Sequence, residues 1–284
     1  MKSGHQRCIC RGILLHLKSD FKEKTGINGS LIISILDKDS FIYGLRPVLE
    51  AIDAGKDVEK ILIQNGIRGE LSAELLKVAS NHRIPVQWVP AEKLNRFPVK
   101  NHQGVVAIAS PITYYRIEDI IPGLFEQGRS PVILILDGLT DVRNVGAIAR
   151  TAECTGVDAL IVPTRGFAQI NADAVKTSAG ALARIPVCRS PNLHRTCNYL
   201  KNSGLQLVAC TEKGKDVYHR IDYQPPTAIV MGAEDTGVSK DLLKLADQLV
   251  SIPLLGEIQS LNVSVATGVI LYELVRQRQG SSDG

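Results

Sequence analysis

Short apolar runs alternate along this chain with longer stretches in which apolar residues recur every three or four positions. Leu45, Val48, Leu49 and Ile52 fall at i, i+3, i+4 and i+7, which predicts a helix over 43–54, ended by Gly55. Lys60–Ile63, Pro85–Val89 and Gly104–Ala109 read as strands, with helices over 70–81 and 90–94. A second series begins at Val132. Its strands are Val132–Leu136, Ala159–Val162, Pro186–Cys188, Leu205–Cys210, Ala228–Met231 and Leu249–Ile252, with helices at 144–155, 171–183, 191–203, 238–246 and 262–279. Strand-then-helix order with nearly continuous apolar strands predicts a mostly parallel sheet covered on both faces. Pro111, Pro122, Gly123 and Gly128 mark 111–130 as a linker between an α/β unit at 40–110 and a larger one at 131–284, although Ile117–Gln127 also has the spacing of a short helix.

Composition narrows the classes. At 284 residues, 44% hydrophobic and 22% charged, the chain can bury a sizeable core. No apolar run approaches the roughly 18 residues of a membrane span. The net charge of +4 is compatible with a nucleic-acid partner without requiring one. The six cysteines form no CxxC pair and no His/Cys cluster of zinc-ligand spacing, which points to reduced thiols, no metal and a cytosolic protein. Residues 1–39 differ from the rest: Lys2, Arg7, Arg11 and Lys18 precede the first acid, Asp20, and the apolar stretch 13–17 is too short and interrupted for a signal sequence. They read as a dispensable or disordered extension.

Three blocks carry candidate chemistry, each directly after a strand, where ligands bind in open α/β sheets. In Asn144-Val-Gly-Ala-Ile-Ala-Arg150, the residues Arg143, Ala147 and Arg150 share one helix face. Two guanidiniums beside a small residue can lie against phosphate or ribose; the same spacing fits a solvated face with Arg150 in a surface ion pair slightly better. In Met231-Gly-Ala-Glu234, Gly232 allows a ligand close to the backbone and Glu234 can bind a hydroxyl or orient an arginine. In Ser260-Leu-Asn262-Val-Ser264, polar residues alternate with apolar ones just before a long helix, and helix capping explains one of them but not all. Cys210-Thr211-Glu212 is a further polar strand end that fits a plain turn equally well. No Gly-x-Ser-x-Gly elbow, GxGxxG or Walker loop is present, which disfavours hydrolase, NAD and ATP chemistry.

Together the three blocks resemble the three motifs of the SpoU (TrmH-type) branch of the SPOUT RNA 2′-O-ribose methyltransferases, over residues 131–279. Residues 41–109 resemble the ribosomal-protein-like RNA-binding domain that precedes the catalytic domain in many of these enzymes. Phe41-Ile-Tyr-Gly-Leu-Arg-Pro-Val-Leu-Glu-Ala resembles the subgroup acting on a guanosine of large-subunit rRNA. The resemblance implies an α/β trefoil-knot domain, S-adenosylmethionine as cofactor with Gly232, Ile252, Leu261 and Thr211 as contacts, and a homodimer with helix 262–279 in its interface. It implies that Arg150, Asn144, Glu234, Ser260 and Asn262 form the catalytic site. A tRNA substrate, or an RNA-binding protein without catalysis, stands as the alternative.

Overall fold

In the computed structural model, residues 41–97, 101–258 and 260–280 are described; the extension expected over 1–39 lies outside them. Two sheets are present. The smaller has the order β1-β4-β2-β3, from β1 (Phe41–Tyr43), β2 (Val58–Gln64), β3 (Val86–Val89) and β4 (Val105–Ala109). Helices α1 (Leu45–Asp53), α2 (Glu70–Asn81) and α3 (Ala91–Leu94) accompany it, and its core is built from Val48, Ile52, Ile61, Ile63, Leu75 and Val105. The three expected strands and the helices are present; β1 was not expected, and the first helix begins at Leu45 rather than 43 because Tyr43 ends that strand.

The larger sheet has eight strands: β5 (Tyr114–Tyr115), β6 (Val132–Asp137), β7 (Ala159–Pro163), β8 (Val187–Ser190), β9 (Gln206–Cys210), β10 (Asp216–Val217), β11 (Thr227–Gly232) and β12 (Gln248–Ser251). Their order is β10-β12-β9-β11-β6-β7-β8-β5, and every neighbouring pair is parallel. The central strands are apolar throughout because both faces are covered. On β6, Leu134 and Leu136 face a core completed by α5 (Val142–Cys154), α6 (Ala172–Thr177) and α9 (Val263–Gly280). Ile133 and Ile135 face a second core completed by α4 (Ile117–Glu126), α7 (Leu193–Asn202) and α8 (Lys240–Leu245).

Two expectations need correction. The helix expected over 171–183 is broken after α6, because Ala179 and Gly180 take positive φ (51° and 90°), and a single 3-10 turn follows at Ala181–Ala183. The stretch 111–130 is not a bare connector. It adds β5 to the sheet edge, which was not expected, while the short helix that Ile117–Gln127 had the spacing for is present as α4 across Pro122, whose missing N–H is offset by burial of Ile117, Ile121 and Leu124.

From Ile42 onward the chain is one compact unit. Its two sheets are joined by a buried ion pair. Arg189 on β8 donates to the backbone carbonyls of Val58 (2.7 Å) and Glu59 (2.8 Å) and to the Glu59 carboxylate (2.7 Å) on β2. Its guanidinium lies 3.5 Å from the Tyr114 ring centroid, and the Tyr114 hydroxyl donates to Glu59 at 2.6 Å. Burial holds that phenol protonated well above its usual range. Arg83 adds a bond to the Arg189 carbonyl (3.2 Å) and an ion pair to Glu118 (2.9 Å).

Candidate active site

The two central strands end side by side, with Gly232 paired to Asp137. Beyond them, the loops after β9, β11 and β12 surround a cavity of about 550 Å³. Thr211, Gly232, Ile252 and Leu261, the four residues expected to contact a cofactor, all line it, as do Glu234 and Ser260. Its lining is mixed: Met231, Leu254, Val263 and Ala266 are apolar, and Glu212, Lys213 and Asp235 are charged. A cavity of this size and mixed character suits a nucleoside-sized ligand.

Glycines make the crossing of these loops possible. A Cβ on Gly232 would stand 2.1 Å from the Gly237 carbonyl carbon and 2.2 Å from the Val238 nitrogen. A Cβ on Gly214 would stand 2.3 Å from the carbonyl carbon of Val250 on β12. Both neighbours are backbone, so neither can yield as a side chain can. Gly214 was invisible as a site residue in the sequence; its one signal was its place just after a polar strand end. Gly146 in α5 has a third such role, since its Cβ would meet Thr177 at 2.7 Å, and it lets α5 and α6 pack closely.

Three of the five expected catalytic residues meet in one hydrogen-bonded cluster. Asp141 caps α5 by accepting from the Arg143 N–H (2.7 Å), which sets Asn144 in the first turn. Asn262 precedes α9, and its carbonyl oxygen accepts from the Ser264 N–H (3.0 Å) and hydroxyl (2.5 Å). Its amide nitrogen is thereby turned outward and donates to Glu234 (2.6 Å) and Asn144 (3.0 Å). Asn144 donates to the same Glu234 oxygen at 3.1 Å, and the Val263 N–H reaches it at 3.3 Å. One carboxylate oxygen, Oε1, thus takes all three bonds and ties the three sequence blocks together at the cavity edge. The helix-capping ambiguity of the sequence is resolved: Asn262 caps α9, and Ser264 is held by it.

Ser260 is exposed at the cavity wall. Arg150 stands apart from the cluster, exposed on α5; it has no hydrogen bond or ion pair within the described residues. Thr151 beside it faces α9, with its methyl 3.8 Å from the position of a Cβ on Gly268. Cys210 in the cavity wall has its thiol pushed up to about 11 by burial and then by Glu212, so it is held neutral. Among the described residues no group of His, Cys, Asp and Glu could hold a metal ion.

Comparison with known proteins agrees with this geometry. Residues 131–272 match the SpoU rRNA methylase family, and residues 41–115 match the RNA 2′-O ribose methyltransferase substrate-binding family. A TrmH-family tRNA/rRNA methyltransferase of Staphylococcus aureus, itself named as putative, is 37% identical over 241 residues, spanning 85% of this chain and 97% of that protein. The SpoU methyltransferase AviRb of Streptomyces viridochromogenes, solved with AdoMet, is 27% identical with a TM-score of 0.54, over 84% of this chain and 90% of that one. An AdoMet-bound rRNA methyltransferase from Sinorhizobium meliloti is 26% identical with a TM-score of 0.54, covering 85% and 89% of the two chains. These likenesses carry the α/β trefoil-knot (SPOUT) fold that the motif resemblance implied. The chain belongs to the SpoU/TrmH family of RNA methyltransferases.

Proposed function

We propose that this protein transfers the methyl group of S-adenosylmethionine to the 2′-hydroxyl of a ribose in large-subunit rRNA, that of a guanosine. The observation that carries this reading is the convergence of all three motif blocks on one cavity through Glu234. The cavity fits the cofactor: Gly232 lets the 233–238 loop close against the end of β11 and form one wall, Ile252 and Leu261 offer apolar contact to an adenine, and Thr211 and Ser260 offer hydroxyls. When bound, S-adenosylmethionine supplies a methyl group on a sulfonium leaving group, so the protein contributes positioning and electrostatics.

The residues divide the task. Glu234 fixes Asn144 and Asn262 at the cavity edge, where their amides orient the ribose, and Ser260 completes the wall. Arg150 brings a guanidinium with no partner among the described residues, which stabilises the 2′-alkoxide as the proton leaves. A guanidinium keeps its own proton in proteins, so water or phosphate accepts that of the ribose. The unit at 40–110 binds the RNA, and 131–284 carries the chemistry.

The working form is a homodimer in the cytoplasm. Val265 and Tyr272, seven residues apart on α9, are 53% and 57% exposed, and Leu255 and Ile258 in the loop that leads to it are 100% and 77% exposed. Exposed large apolar side chains on one helix and the loop before it suit an interaction surface. No helix among the described residues is long and apolar enough to cross a membrane.

A tRNA substrate remains the second reading, since a tRNA-modifying TrmH/SpoU enzyme of A. aeolicus is 33% identical over 58% of this chain, with a TM-score of 0.51. Labelled S-adenosylmethionine incubated with large-subunit rRNA and with bulk tRNA, followed by alkaline hydrolysis, separates the two. Label at one alkali-resistant guanosine of rRNA is the expected result; label in tRNA alone would overturn the substrate.

A further inference from the structure

A second cavity, of about 600 Å³, lies in the smaller module, far from any of the three motif blocks in sequence. Its walls come from the end of β1, the start of α1, the first turn of α2 and the turn before β4: Tyr43, Leu45, Arg46, Leu71, Asn101 and Gln103. Leu45 and Leu71 give an apolar floor. Tyr43 is 46% exposed, so its ring is open to a ligand from the cleft side. The Tyr43 hydroxyl, the Arg46 guanidinium and the two carboxamides make no hydrogen bond or ion pair within the described residues. Aromatic face, cation and amide edges therefore meet with their bonding capacity unspent.

The cleft is also held open by backbone. Gln103 takes φ of +47°, a left-handed conformation that a side chain adopts only under constraint. That constraint comes from His102, whose ring accepts from the Gly104 N–H (3.0 Å) and bonds Asn95 (2.9 Å). The Gly44 N–H donates to the Val105 carbonyl (3.0 Å) and ties β1 to the same turn. Gly44 itself has φ of +92°, and a Cβ there would sit 3.3 Å from the Gln103 carboxamide oxygen. The absence of that Cβ leaves the Gln103 amide lying across the cleft.

We propose that this cleft receives one unpaired nucleotide of the RNA substrate. The base stacks on Tyr43, the phosphate meets Arg46, and Asn101 with Gln103 bonds the base edge. This rests on the reading that the 40–110 module binds RNA, and it names where. Exposed aromatic rings are the usual platform for unstacked bases, and amides suit their edges. Base pairing would block both, so the cleft selects single-stranded RNA.

The test uses the full chain with a fluorescent single-stranded fragment of large-subunit rRNA and the same fragment annealed to its complement. Tyr43→Ala is expected to raise Kd for the single strand roughly ten-fold, which is about 1.4 kcal/mol. Tyr43→Phe keeps the ring and should bind as the parent does. Arg46→Gln should weaken binding and flatten its salt dependence. Trp88, exposed on β3 outside the cleft, gives the control Trp88→Ala. Cofactor affinity and thermal unfolding should not move in any of them. If Tyr43→Ala costs no more than Trp88→Ala, or the duplex binds as well as the single strand, the cleft is not the receptor. An enzyme that binds the single strand through Tyr43 but methylates only tRNA would retain this proposal and overturn the rRNA reading.

Discussion

Replacing Arg189 by methionine tests the ion pair that joins the two sheets. Arg189 is 5% exposed and Glu59 is 7% exposed, so neither can turn to water when its partner is lost. In Arg189→Met, two backbone carbonyls and one carboxylate oxygen each lose a charged donor at 2.7–2.8 Å. The Glu59 carboxylate would keep only the Tyr114 hydroxyl and the Ile170 N–H as donors. Removing one member of a buried pair costs about 3–5 kcal/mol, because the other is left uncompensated. For a chain of this size that is a fall in Tm of roughly 10 °C. Chemical denaturation of Arg189→Met, Glu59→Gln and the double variant measures it. The double variant should be more stable than the sum of the two single losses predicts, by about 0.5–3 kcal/mol. A single-variant loss under about 1 kcal/mol, or simple additivity, would refute the reasoning.

Further outcomes follow from the site. Glu234→Ala should lower kcat at least about 100-fold, since it releases Asn144, Asn262 and the Val263 N–H together; calorimetry should show cofactor still binding, and unchanged turnover would break the assignment. Arg150→Lys should be strongly impaired across a pH series, and full activity at every pH would remove its role at the alkoxide. Gly232→Ala should destabilise the protein by about 1–3 kcal/mol and abolish cofactor binding, because its methyl would overlap backbone at 2.1 Å; a stable, binding variant contradicts it. Burial pushes the Cys188 and Cys197 thiols up to about 12 and Cys210 to about 11. These thiols stay protonated in the native state while those of the unfolded chain ionise. Their stabilising effect is therefore complete below the ordinary thiol value of 9.0 and is lost as pH rises toward 11–12. Denaturation midpoints that stay flat above pH 9 would contradict this.

Most of the fold was legible because its strands are apolar on both faces and its helices are periodic. Ile133 to Leu136 cannot be mistaken for a half-exposed strand, and all six large-sheet strands read from such runs are present. What escaped was local. β5 and β10 have two residues each, too few for any period, and exist through their partners β8 and β12. The break after α6 depends on a positive φ at Ala179, which no sequence rule assigns to alanine. In the site, the residues at strand ends were legible as polar groups in apolar surroundings. That the blocks holding Asn144, Glu234 and Asn262 share one site was legible from the motif resemblance; the bonding pattern, in which one oxygen of Glu234 takes all three bonds, was not, because it depends on the order of the strands. The same limit hid Gly214, whose role depends on β12, a strand later in the chain that enters the sheet between β9 and β10.

The large sheet finishes in a two-residue strand at each end, β10 on one side and β5 on the other. A sheet edge is a row of unpaired backbone donors and acceptors, and a long one recruits strands from other molecules. Here each edge offers too short a ladder for another chain to extend. The β5 side is further occupied through Arg189 and Tyr114, which commit that border to β2. A parallel sheet of eight strands thus presents no template for uncontrolled fibre growth. The homodimer proposed above would then form through side chains, by a contact that can close on itself and stop at a defined number of copies.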